Sequence, residues 1–317
     1  YGGMLLLALY CFLRSTEDTP KRYEWAGLVG LTVGLCVLFR GVATYMLPIF
    51  CFALLWRRFR QVEAWKQVAV LCFSAVLTVA PYSVYASGKF GATIVSDRTL
   101  GQMMWLGDND FAPITFDWGN GQLSNRAFKR HTDPGRQPCA KRGDAIERDR
   151  CQTQAGVDWI RENREEFVRR MPVRVAQLLN PHSFITRHLR WGRWRGLPQL
   201  ADEAIILWNV VWSLVVLWGG AVALCIRGRG PQAVLVGGIL TYHVAAISLL
   251  AGLSRYRVPL EPLLMIYLAS LMAGGRGSLS NMEEQPWRWG LLLSVLALVI
   301  PLTLWCFPTG WPWWRSW

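Results

Sequence analysis

Between Trp25 and Trp56 the chain runs for thirty-two residues with one interruption, Arg40-Gly41. As a single helix this run would extend roughly 48 Å, against a hydrocarbon core of about 30 Å. One straight crossing therefore does not fit. Two short helices meeting at Arg40-Gly41 do, with the glycine easing the turn. Apolar runs of this kind recur along the chain, and 52% of its residues are hydrophobic, with a mean hydropathy of +0.22. A soluble chain of 317 residues would carry shorter apolar runs and more charge. Many of the eighteen tryptophans flank the runs, where an amphipathic ring suits the headgroup layer.

The spacing predicts eight membrane segments, two of them short. The first lies before Arg14, and two flank Arg40. A fourth covers Val68 to Ala86. The rest cover about Ala204–Ile226, Ala233–Leu253, Val258–Ala273 and Leu291–Phe307, followed by an interfacial tail, PTGWPWWRSW. Tyr1 already lies inside an apolar run, with no charged leader and no cleavage site, so the run is not a signal peptide. A further amino-terminal portion is expected upstream.

Three regions follow: membrane helices over 1–86, a loop domain over 87–200, and membrane helices with the tail over 201–317. Orientation follows from Lys and Arg on short loops. One side collects Arg14, Lys21, Arg22, Arg57, Arg58, Arg60, Lys66, Arg227, Arg229, Arg276 and Arg288, eleven against four on the other. The first set is therefore cytoplasmic. The long segment holds 19 Lys and Arg, and loops beyond about 60 residues are largely exempt from the rule. It lies outside, in a periplasm-like space, with Arg40, Arg255 and Arg257 on the same face.

Within the outer segment, GATIVSDRTLGQMMWLGDND alternates enough to predict one or two short strands. Residues 117–143 read as loop. A helix is expected from about Asp144 to Arg170, with Trp159, Ile160, Asn163, Phe167 and Met171 on one face and most charges elsewhere. Pro172 suits the first turn of a second short helix. Cys139 and Cys151 are the two cysteines in this polar segment and are disulfide candidates in an oxidising compartment. The other six lie in apolar runs as small hydrophobes. The fold class is an all-α polytopic membrane protein with a small mixed periplasmic domain.

Several polar residues carry candidate chemistry. Arg255 and Arg257, in RYRVPLEP, either bind a phosphate at the outer mouth or snorkel to headgroups. Glu261 lies four residues after Arg257, at ion-pair spacing. Arg40 has the same two readings as Arg255. Trp105, with Asp108, Asn109 and Asp110 clustered after it, is a candidate sugar or acceptor contact or a metal site, set against ordinary turn chemistry. His243 is either an interhelical hydrogen bond or a proton relay. His131, His182 and His188 show no metal-ligand spacing. The net charge of +13 suits anionic lipid or phosphate, and no nucleic-acid signature accompanies it.

Four stretches, in order, carry a family resemblance. They are GLVGLTVGLCVLFRGVATYMLP, APYSVYASGKFGATIVSDRTLGQMMWLGDND, AGVDWIRENREEFVRRMPVRVAQLLNP and RYRVPLEPLLMIYLA. The chain resembles bacterial membrane glycosyltransferases of the GT-C superfamily, related to protein O-mannosyltransferases and aminoarabinose transferases. The second stretch departs from the family's pattern, with GDND where a GNN-like turn is usual. The resemblance implies a GT-C-like helical bundle in the bacterial inner membrane. It implies transfer of a sugar from a polyprenyl-phosphate donor to a lipid, glycan or protein acceptor. It assigns donor-phosphate contact to Arg255, Arg257 and Arg40, and no catalytic residue, because the family's acidic outer loop would precede Tyr1. Some relatives bind a divalent metal; the residues here do not establish one. The alternative class is a non-catalytic or transport protein that handles lipid-linked sugars.

Overall fold

A computed structural model describes residues 1–96, 99–109, 139, 144–181, 186, 189, 198–250, 256–274 and 287–305. Among these residues every regular element is helical. Four helical stretches are long and apolar enough to cross a membrane: Arg22–Phe39, Val62–Phe90, Gln199–Arg227 and Gly230–Leu249. Gly2–Thr16, Gly41–Leu55, Glu261–Gly274 and Trp287–Thr303 are shorter and also apolar. The chain divides into two compact units.

The first unit comprises Tyr1–Thr99 and Gly228–His243. It holds α1 (Gly2–Thr16), α2 (Arg22–Phe39), a 3-10 helix (Gly41–Met46), α3 (Leu47–Leu55), α4 (Val62–Phe90) and the first part of α10 (Gly230–Leu249). Helix α2 stops where the thirty-two-residue run has its interruption. Arg40 takes an extended backbone, φ −152° and ψ 116°, and its N–H still donates to the Cys36 carbonyl. Leu47-Pro48 then opens α3, with proline at a position where no N–H is required.

Small residues hold α2 on α4. A Cβ at Gly30 would strike the Leu71 carbonyl, and one at Gly34 would lie 2.8 Å from the Thr78 Cβ. Ser74 Oγ donates to the Gly27 carbonyl at 2.7 Å. This is the pattern expected where helices associate in lipid, since packing and hydrogen bonds replace the hydrophobic drive. At the other end of α4, the Gln67 amide donates to the Ser15 carbonyl at 2.9 Å. The start of α10 packs on the 3-10 helix and α3. Gly238 accepts Ile49, and Tyr242 Oη donates to the Val42 carbonyl at 2.8 Å. His243 differs from the interhelical hydrogen bond expected: its Nδ1 pairs with the Ile239 carbonyl, 2.9 Å away on its own helix.

The expected strands within 91–110 are not found among the described residues. Ile94 N–H donates to Ser87 Oγ at 2.9 Å, and Ser83 Oγ donates to the Val95 carbonyl at 3.1 Å. The serines of the last turns of α4 thus satisfy backbone groups that a partner strand would otherwise take. The remainder, LGQMMWLG, has no β-branched residue and forms a helix.

The second unit comprises Leu100–Arg227 and Val244–Trp317. It holds α5 (Leu100–Gly107), α6 (Ala145–Glu162), α7 (Arg164–Leu179), α8 (Gln199–Leu214), a π-helical turn (Val215–Gly219), α9 (Gly220–Arg227), the end of α10, α11 (Glu261–Gly274) and α12 (Trp287–Trp305). Asp144 caps α6 by accepting from the Ile146 N–H. Cys139 and Cys151 form a disulfide that ties Cys139 to α6.

The single helix expected over 144–170 is instead two, broken at Asn163 (φ −119°, ψ 46°). The Asn163 side-chain amide and backbone N–H both donate to the Trp159 carbonyl, which ends α6. Pro172, expected to start a second helix, lies inside α7. Helix α7 packs on α12 through Val175, Ala176, Leu179 and Leu302. Close approach of α9 and α11 rests on Gly220, where a Cβ would lie 2.6 Å from the Leu264 Cβ.

The glycine contacts give a paired expectation. Gly30→Val should destabilise the first unit by about 1–3 kcal/mol through overpacking. Gly88, on the same α4, has nothing within 4 Å of the place a Cβ would take, and should accept Ala with no loss. Thermal unfolding of the two variants in detergent measures the difference.

Candidate functional site

The buried charge of the second unit begins at the C-terminal end of α5. LGQMMWLG forms a helix because α6 receives it closely. The Gly101 N–H donates to Asp149 Oδ1 at 2.8 Å, and Gly156 lies against Met104. That contact fixes the residues that follow. Trp105, Asp108 and Asn109 are all buried. Asp108 N–H continues the helix to the Met104 carbonyl at 2.7 Å.

Helix α7 meets this end of α5 with two arginines. Arg174 places one amino group 2.6 Å from Asp108 Oδ1 and 2.7 Å from the Gly107 carbonyl. Its other amino group donates to the Ser248 carbonyl at 3.1 Å, at the end of α10. Arg170 donates to the Asn109 carbonyl at 2.9 Å and to Glu166 Oε1 at 3.0 Å. Its guanidinium also lies 4.5 Å from the centroid of the Trp159 ring, within reach of cation–π attraction.

Asp108 is fully buried, and among the described residues its Oδ2 has no hydrogen-bond partner. Burial pushes its carboxyl up to about 6, against the opposing pull of Arg174 and then Arg170. Sequence reading placed Asp108 and Asn109 as candidate sugar contacts. The structure places them within the α5–α7 junction, with Asp108 as the counter-ion of Arg174 and Asn109 donating from its amide to the Trp105 carbonyl.

Arg257 stands in a second junction of the same unit. Its Nε donates to Glu261 Oε1 at 2.8 Å, the pair expected from their spacing. The two amino groups reach the Asn180 and Pro181 carbonyls and Ser213 Oγ. The side chain is 2% exposed and its guanidinium is committed to protein acceptors. Arg257 therefore ties the ends of α7 and α8 to the start of α11. Two residues earlier in the octapeptide, Arg255 lies outside the described residues. Its flanks are held: Ser248 by Arg174, and Tyr256 by a hydrogen bond from its hydroxyl to Met103 Sδ at 3.1 Å.

In the first unit, Arg40 is exposed between α2 and the 3-10 helix. Among the described residues its guanidinium has no hydrogen-bond or ion-pair partner. Three His, Cys, Asp or Glu side chains able to hold a metal do not come together anywhere among the described residues.

Arg170 and Arg174 did not stand out in the sequence. They read as two more charges on a helix with many. The signal was present in their phase: Phe167, Arg170, Arg174 and Leu178 recur at steps of three and four, and all four are buried.

Two expectations follow. Arg174→Ala leaves the Asp108 carboxyl buried without its counter-ion and should cost about 3–5 kcal/mol, against a smaller loss for Asp108→Asn. The Asp108 carboxyl binds its proton more tightly in the fold than its ordinary value of 3.8. The stability this lends is complete below that value and is lost as pH rises through about 6. Unfolding of wild type and Asp108→Asn across that window should show the slope in the first and its absence in the second.

No family model, no curated protein and no solved structure matches the chain.

Proposed function

We propose that the chain acts as a membrane glycosyltransferase, moving a sugar from a polyprenyl-phosphate donor to a lipid, glycan or protein acceptor on the outer face. Supporting this reading are the four ordered stretches of GT-C resemblance and the apolar helices that frame them. The single observation that carries it is the anchoring of the described residues on either side of Arg255. Ser248 is held by Arg174, Tyr256 by Met103, and Arg257 by Glu261, Ser213 and two carbonyls.

On this reading Arg255 contacts the donor phosphate and Arg257 positions it. Sugar transfer leaves a phosphate whose negative charge grows in the transition state. A fixed guanidinium in a poorly hydrated site stabilises that charge, in bidentate fashion where its fork fits. The Cys139–Cys151 disulfide suits an oxidising compartment and so supports placing 87–200 outside, in agreement with the positive charge on the opposite loops.

The test uses membranes carrying the complete protein and a panel of undecaprenyl-phosphate sugars. Arg255→Ala should lower transfer by about a hundredfold or more, and Arg255→Lys should recover part of it. Arg40→Ala, in the first unit, is assayed separately. Unchanged transfer in Arg255→Ala would overturn the phosphate role. Movement of the labelled donor across the membrane without any transfer would replace the enzyme with a translocase.

A further inference from the structure

We propose that Cys51 and Cys72 form a redox-responsive dithiol site in the first unit, which closes to a disulfide and ties α3 to α4. The two Sγ atoms lie 3.5 Å apart, one from each helix. Both thiols are free and partly exposed, whereas Cys11 and Cys36 of the same unit are buried. A disulfide bond is about 2.05 Å long, so the sulfurs need to close by about 1.5 Å, a distance within reach of small side-chain rotations.

The backbones on either side are held in place. Phe50, which precedes Cys51, is fully buried and meets Phe12 edge-on, with ring centroids 5.9 Å apart. Leu71, which precedes Cys72, is fully buried where its carbonyl faces Gly30. The residues that follow, Phe52 and Phe73, are 55% and 70% exposed. Each cysteine thus sits on the border between a packed interior and an apolar outer surface. A membrane-permeant oxidant reaches the pair there, and the packed neighbours keep the two sulfurs facing each other.

The oxidant class is an organic hydroperoxide. One thiol releases its proton and its sulfur attacks the O–O bond. A sulfenic acid forms, and the departing alkoxide takes that proton and leaves as an alcohol. The second sulfur displaces hydroxide from the sulfenic acid, the S–S bond forms, and the second thiol proton leaves with the hydroxide as water. Two thiols and one hydroperoxide give one disulfide, one alcohol and one water. Thiol reductants reverse the bond by exchange.

The test treats membranes carrying the full chain with graded tert-butyl hydroperoxide. Free thiols are alkylated under denaturing conditions, and unreduced peptides are read by mass spectrometry. Alkylation should be lost at Cys51 and Cys72 in step, while Cys11 and Cys36 keep theirs. A linked Cys51–Cys72 peptide, lighter by two hydrogens, should appear and should vanish on reduction. In Cys72→Ala the linked peptide should be absent and Cys51 should be trapped by dimedone as the sulfenic acid. Retention of alkylation at both positions, loss at one alone, or linkage of Cys51 to a different cysteine would overturn the proposal. The wild-type chain decides between these outcomes even if the variant does not accumulate.

Discussion

A guanidinium taken out of water needs acceptors for its N–H groups, because an unpaired buried charge is among the most destabilising features a fold can contain. The second unit is organised by that requirement. Arg174 draws on the end of α5, on Asp108 and on the last turn of α10. Arg257 draws on the end of α7, on α8 and on the first turn of α11. Half of these acceptors are backbone carbonyls at helix ends, where the last four C=O groups have no partner within their own helix. Each arginine therefore resolves two deficits at once, its own and that of a helix terminus.

The first unit solves a different problem. In an apolar surrounding, exposed Leu and Phe gain nothing by meeting each other, so close backbone approach has to hold the helices. Gly27, Gly30 and Gly34 supply it on α2, with Ser74 and Thr78 opposite on α4. Phe73, Val76, Leu77, Val84 and Tyr85 remain exposed on α4, as a lipid-facing surface allows. Here small residues carry the specificity, and large apolar residues face outward.

Sequence patterns revealed these devices unevenly. The interruption at Arg40 was legible, because a run too long for one crossing has to break where charge and glycine coincide. The Arg257–Glu261 pair was legible from spacing. Helix α5 was not, because an apparent alternation in 91–110 mixes two short conformations. The Thr93–Val95 part is β-branched, but serine hydroxyls from α4 take up its backbone groups. The break at Asn163 was missed because apolar periodicity continues through it, and the competing signal is a single amide that closes on Trp159. Arg170 and Arg174 were missed because net polarity hides a buried stripe unless charge and phase are considered together. Arg257 was read as either meeting a phosphate or snorkelling to headgroups, and its carbonyl partners were not legible, since a charge beside a membrane span does not disclose what surrounds it.

The π-helical turn at Val215–Gly219 has a bearing on how the long helix through Gln199–Arg227 can change over time. Such a turn accommodates one residue more than an α-helix of the same rise. It lets the two halves of one rod keep separate rotational settings. The upstream half turns Ser213 toward Arg257, while Gly219 at the end of the turn and Gly220 at the start of the downstream half face Leu268 and Leu264. Loss of a single residue there would restore a uniform helix and swing one half by about 100° relative to the other. Either the guanidinium would lose its hydroxyl or the glycines would lose their neighbours. Length in this stretch is thus constrained more tightly than composition: substitutions among apolar residues leave the phase intact, and a one-residue insertion or deletion does not.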